Sequence, residues 1–139
     1  MVDHNIKGEL IRLSDTDLVV MNPEDDIRGF DVLDGSGDEI GEVEDLIIDT
    51  EEKKVRFLQV ASGGFLGLGE KHYMLPVDAI TAIEDGIVRI SKSWEHVAGS
   101  PEYDPDLESP EYWKETYDYY GYAPYWSAGY VYRGMPFIR

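Results

Sequence analysis

Between residues 27 and 91 the chain is written in short apolar runs, each closed by Gly, Asp or a charged turn. Runs this short leave no room for long amphipathic helices and are how a small all-β barrel is encoded. Residues 30–34 predict a first strand and Gly35-Ser36-Gly37-Asp38 a tight turn, where glycine takes positive φ at little cost. Glu39–Asp49 predicts the second strand, but its alternation slips. Val43 and Ile47 share one parity, Leu46 and Ile48 the other, and Gly41 stands just before the slip. A β-bulge, or burial on both faces, produces such a pattern. After the turn Thr50-Glu51-Glu52-Lys53, residues 54–62 predict a third strand with a parity change at Phe57-Leu58. A small barrel needs such corners, because one strand serves two regions of sheet. Residues 71–77 predict a fourth strand, ended by Pro76. Asp78-Ala79-Ile80 is a turn, Ala82-Ile83 a brief strand, Asp85-Gly86 a hairpin signal and Ile87–Ile90 the closing strand. The core expected from this pattern is Val43, Leu46, Ile48, Val55, Phe57, Leu58, Val60, Leu75, Val88 and Ile90.

The flanks divide the rest. Residues 1–26 form a polar arm in which Leu18-Val19-Val20-Met21 suggests a short strand that covers a barrel edge. Residues 92–110 form a linker, interrupted by Pro101, Pro105 and Pro110, with one helical turn capped by Ser93. Residues 111–139 form an extension that holds most of the chain's aromatic residues. Pro110 suits the first position of a helix running to about Tyr119.

Charge narrows the partners. The chain carries 12 Lys plus Arg against 29 Asp plus Glu, a net charge of −17. Phosphate neutralisation supplies most of the affinity of a nucleic-acid binder, so free RNA and DNA are poor partners, as are anionic membrane surfaces. A basic protein patch or divalent cations suit it better, unless the acidity serves only solubility or a salty habitat. With no cysteine, disulfides, zinc–thiolate sites and a Cys nucleophile are excluded. No apolar run approaches a membrane span, and Met-Val-Asp-His-Asn is not a secretory signal; the expected location is cytoplasmic.

Two motifs come close to known sites and miss. Gly64-Phe65-Leu66-Gly67-Leu68-Gly69-Glu70-Lys71 has the outer glycines of a phosphate-binding loop, but Glu70 stands where the lysine belongs, His72 follows Lys71 where Ser or Thr belongs, and the next segment reads as a strand. It is better read as a structural loop whose Phe65, Leu66 and Leu68 plug one end of the barrel. Asp34, Ser36, Asp38 and Asp45 fall at four calcium-ligand positions of an EF-hand loop, yet its sixth position is Glu39 rather than Gly and its flanks are strands, so a hairpin turn is the better reading. His4, His72 and His96 show no ligand spacing. No Ser–His–Asp signature or visibly tuned acid–base pair is present, so no catalytic residue, cofactor or metal ligand is assigned.

The stretch resembles the PRC-barrel family, which includes the cytoplasmic domain of the photosynthetic reaction-centre H subunit and the C-terminal domain of the ribosome maturation factor RimM. The marks are Asp26-Ile27-Arg28-Gly29, Ile40-Gly41-Glu42-Val43, Ile48-Asp49, Gly63-Gly64-Phe65-Leu66-Gly67, Leu75-Pro76-Val77 and a closing apolar strand. Pro101-Glu102-Tyr103-Asp104 is similar to stand-alone bacterial members. The resemblance implies a small barrel used for docking and assembly, without a shared catalytic site. The H subunit's membrane helix and a RimM-like N-terminal domain are not seen in this sequence, so neither of those two roles is carried over.

The reading that follows is an all-β PRC-type barrel with an aromatic C-terminal extension, acting as a non-catalytic interaction module. Acidic divalent-cation binding is the alternative, and an enzyme hidden in a carboxylate cluster is a third. The extension either wraps onto its own barrel or docks on another subunit. Trp113, Tyr117, Tyr120, Tyr125 and Trp126 are the candidate contact residues, because Tyr and Trp supply large contact area at low entropic cost. A homodimer in which each extension covers the other barrel is the expected assembly.

Overall fold

The computed structural model describes residues 10–20, 25–63, 71–101, 103 and 110–132. Among them are strands β1 (Leu10–Arg12), β2 (Asp31–Leu33), β3 (Glu39–Asp49), β4 (Val55–Ser62), β5 (Lys71–Pro76), β6 (Ile80–Glu84) and β7 (Ile87–Ile90). Helices α1 (Trp94–Ala98) and α2 (Pro110–Tyr120) follow. The strands run side by side in the order β5-β4-β3-β2-β7-β6, with β1 also on β3. Every pairing is antiparallel except β2 with β7.

β3 sets the architecture. Its first half pairs with β2, its second half with β1, and β4 runs along both. The slip in its sequence is real backbone: the β3–β4 register shifts between Val43 and Asp45 and again between Ile47 and Ile48. At the first shift Glu44 is the additional residue. At the second it is Arg56, since Ile47 faces Phe57 and Ile48 faces Val55. Gly41 is required nearby, because a Cβ there would lie 2.2 Å from the Ala61 carbonyl oxygen. The Asp85-Gly86 turn takes φ of 49° and 77°, the pair of positive values a tight hairpin demands.

All ten expected core residues are buried, none more than 1% exposed. They do not share one core. Leu46, Ile48, Val55, Leu58, Val60, Leu75, Val88 and Ile90 face inward together with Val43. Phe57 faces outward with Ile47 and Met74, into a second cluster built with the extension. That explains why β4 is buried along nearly its whole length.

The arm differs from expectation in where its strand lies. The arm's strand is Leu10–Arg12, not 18–21, of which Met21 lies outside the described residues. The reason is local hydrogen bonding: the Thr16 hydroxyl donates to the Leu13 carbonyl and accepts the Leu18 N–H at 3.0 Å, turning the chain away from a ladder. Ser14 donates its hydroxyl and its N–H to the Asp45 carboxylate, fixing this turn over β3. The expected linker contains α1, where the Ser93 hydroxyl accepts the His96 N–H at 3.1 Å as expected, and buried Val97 and Tyr103. The Tyr103 N–H donates to the His72 carbonyl of β5. α2 starts at Pro110 as expected. It buries Trp113, Thr116, Tyr117 and Tyr120 on one face and ends at Gly121, whose φ of 83° lets Gly121 and Tyr122 N–H both reach the Tyr117 carbonyl. The apolar plug and the near-miss phosphate loop, residues 64–70, lie outside the described residues.

Candidate functional site

Two surfaces carry the molecule's unusual chemistry. The first is the outer face of β3–β4–β5 under the extension. Here the bulge places Arg56 and Phe57 on the same side of β4. The Phe57 ring meets Trp113 at 4.8 Å and Tyr117 at 4.9 Å between centroids. Trp126 closes on Tyr117 at 5.7 Å and Tyr125 at 5.1 Å. Tyr120 packs separately, against His96 of α1 at 5.5 Å and into the inner core. Trp113, Tyr117, Tyr120 and Tyr125 are thus buried, and Trp126 half-buried, within a single chain. Of the two arrangements expected for the extension, wrapping onto its own barrel and docking on another subunit, the single chain takes the first: a sheet with apolar residues on both sides must cover both, and the extension does so.

Arg56 is the residue that sequence reasoning missed. Its Nε donates to Asp49 at 2.7 Å, and both side chains are no more than 2% exposed; Glu52 approaches at 3.4 Å. The guanidinium carbon lies 4.3 Å from the Tyr125 ring centre, 5.2 Å from Tyr132 and 5.9 Å from Tyr130. A buried charge is tolerated only when paired and solvated by dipoles or π faces. The available signal was a lone cation inside a mostly apolar strand of a chain short of cations. Burial raises the Tyr125 phenol to about 12, with the Asp49 charge adding and Arg56 opposing. Burial likewise holds Tyr117 and Tyr130 above their ordinary values, the latter helped by Asp78.

The second surface is an open groove of about 740 Å³ between β2, the first half of β3, the end of β4 and Trp94. Asp31, Glu39, Glu42 and Glu44 line it. Glu44 is partly engaged: Gln59 donates an amide N–H to it and the His72 Nδ1 lies 2.9 Å away. Gly29, at the groove's edge, has φ of 91° and donates its N–H to the Val43 carbonyl. Arg28 beside it forks onto Asp26, whose carboxyl the guanidinium holds below its ordinary value, while Ile27 is buried in the inner core. The tetrad Asp26-Ile27-Arg28-Gly29 therefore acts as a clip that seats the lead-in on β3.

The calcium-like spacing resolves into a turn. Asp34 is buried, and its carboxylate accepts N–H groups from Ser36 and Asp38 in its own loop and from Trp94 at the start of α1. Burial opposes its ionisation, but these N–H donors outweigh it and hold the carboxyl below its ordinary value. Among the described residues no group of three or more His, Asp or Glu converges as a metal ion requires. His72 lies on β5 and His96 on α1, and His4 is outside the described residues. No described helix is long and apolar enough to cross a membrane.

A family model described as the PRC-barrel domain matches residues 22–97, more than half of the chain. No curated protein sequence matches it.

Proposed function

Because the chain belongs to the PRC-barrel family, whose domains are generally non-catalytic, we propose that it works as a docking and assembly module. The observation that carries this reading is the use to which the inner carboxylates are put. Asp34 orders a loop and α1, Asp45 holds the arm, and Asp49 neutralises Arg56. Of the carboxylates left facing solvent, Asp31, Glu39, Glu42 and Glu44 line the groove, and they suit long-range attraction and docking rather than proton transfer. A protein partner presenting a basic segment fits a chain of net charge −17, with the Trp94 ring beside the groove able to receive a cation.

The test is cross-linked capture from the source cell with the full chain. Glu39→Lys/Glu42→Lys is expected to lose a partner that Lys114→Glu, on the far helix, keeps. Undiminished capture by the groove variant overturns the groove as the docking surface.

Self-association belongs to the same proposal in altered form. Since each extension is seated on its own barrel, two copies associate by exchanging extensions, so that the contacts of Phe57 with Trp113 and Tyr117, and of Arg56 with Tyr125, are remade between chains. Salt weakens the repulsion between two strongly acidic subunits, so the dimer is expected to hold better at moderate than at very low salt. Light scattering that gives a monomer at high concentration in both regimes overturns it.

A further inference from the structure

We propose that residues 122–132 form a strap fastened to the barrel through Arg56, and that this strap opens as a unit while the barrel stays folded. The backbone of the strap bonds to itself and to the end of α2. The Tyr122 N–H reaches back to Tyr117, the Ser127 N–H to Pro124 at 3.0 Å and the Tyr130 N–H to Ser127 at 3.2 Å, all turn contacts. The strap lies in neither helix nor strand. Its grip on the barrel is made by side chains, and those converge on charge. Tyr125, Tyr130 and Tyr132 surround the Arg56 guanidinium, the Lys54 ammonium lies 5.1 Å from the Tyr132 ring centre, and the Tyr130 hydroxyl bonds to Asp78. Trp126 adds ring contacts to Tyr117 and Tyr125.

The barrel side of this contact is rigid. Arg56 is the additional residue of a bulge, held edge-on by Asp49, so its planar faces stay free for rings. The strap side is not tied into any ladder. A segment with local backbone bonds and a side-chain grip opens at lower free energy than the sheet it covers. Arg56 is therefore a positioning residue: it fixes where the strap sits and how often it leaves.

The experiment is hydrogen–deuterium exchange on the full chain. Arg56→Met/Asp49→Asn removes the cation and its partner together, leaving no unbalanced buried charge. Amides of residues 122–132 are expected to exchange about tenfold faster or more, the ratio expected of lost cation–ring attraction, while β3, β4 and β7 keep their protection. Arg56→Lys should restore part of the slow exchange. Tyr125→Leu/Tyr132→Leu, which leaves the ion pair intact, should speed the strap in the same way and decides the matter if the first variant does not fold. Unchanged strap exchange in the tyrosine variant, or strap and sheet amides accelerating together, overturns the proposal.

Discussion

β4 has two faces, and they are built on different principles. Leu58 and Val60 point into an inner core that is largely aliphatic, enclosed by strands whose backbone ladders fix every position. One residue away, Phe57 points into an outer cluster of Trp113, Tyr117 and Tyr125, closed by one helix and an irregular strap. The inner side has its backbone polar groups in ladders and leaves one buried hydroxyl, that of Tyr120, without a partner among the described residues. The outer side buries an ion pair and the Tyr117 and Tyr125 hydroxyls, which find no hydrogen-bond partner among the described residues. An unsatisfied buried hydroxyl forfeits stability, and a buried ion pair contributes little net. The outer face therefore covers apolar surface with less stabilisation per contact than the inner one, which makes it the face where the molecule can change.

Four substitutions and one change of condition probe this difference, from the largest effect down. Phe57→Ala and Leu58→Ala remove fully buried side chains on opposite faces, and each is expected to cost about 3–5 kcal/mol in denaturant unfolding. Only Phe57→Ala should shift Trp113 fluorescence; equal shifts in both would merge the two cores into one. Gly41→Ala forces a methyl onto the Ala61 carbonyl and should cost about 3 kcal/mol or more; a neutral effect would mean that β3 and β4 separate there without loss. Alkaline pH acts next, on the aromatic side. Tyr125 and Tyr120 titrate near 12 when folded, against 10 as ordinary phenols, burial being the first cause in both. A raised folded pKa contributes stability that is complete below about pH 10 and lost as pH rises toward about 12. Tyrosinate absorbance should thus lag free tyrosine and then appear together with loosening of the extension; ionisation of all tyrosines near pH 10 would deny their burial. Ser93→Ala, the smallest, removes the α1 cap and should cost about 1 kcal/mol in thermal melting. An unchanged melting temperature would show that the Asp34 carboxylate holds the start of α1 without Ser93.

What the sequence determined by itself was whatever local chemistry encodes. The span of β3, the tight turn at Asp85-Gly86, the irregularity after Gly41, the cap at Ser93 and the start of α2 at Pro110 all follow from residue periods, glycine and proline stereochemistry and short hydrogen bonds. They are legible because each involves residues near one another along the chain. The strand misplaced at residues 18–21 shows the limit: the apolar run was there, but the Thr16 turn and the reach of Ser14 to Asp45, thirty-one residues on, claimed the arm. Only the tertiary structure decided what the aromatic extension covers. A run of Tyr and Trp encodes appetite for an apolar surface without saying whose, and the alternation of β4 could not announce that a bulge turns Arg56 and Phe57 to the same side. The acidic groove was equally hidden, since Asp31 of β2, Glu39 and Glu42 of β3 and Trp94 of α1 meet only once β2 has taken its place between β3 and β7 and α1 has been tied to Asp34. Long-range pairing fixes such surfaces, and its energy depends on burial that no single segment contains.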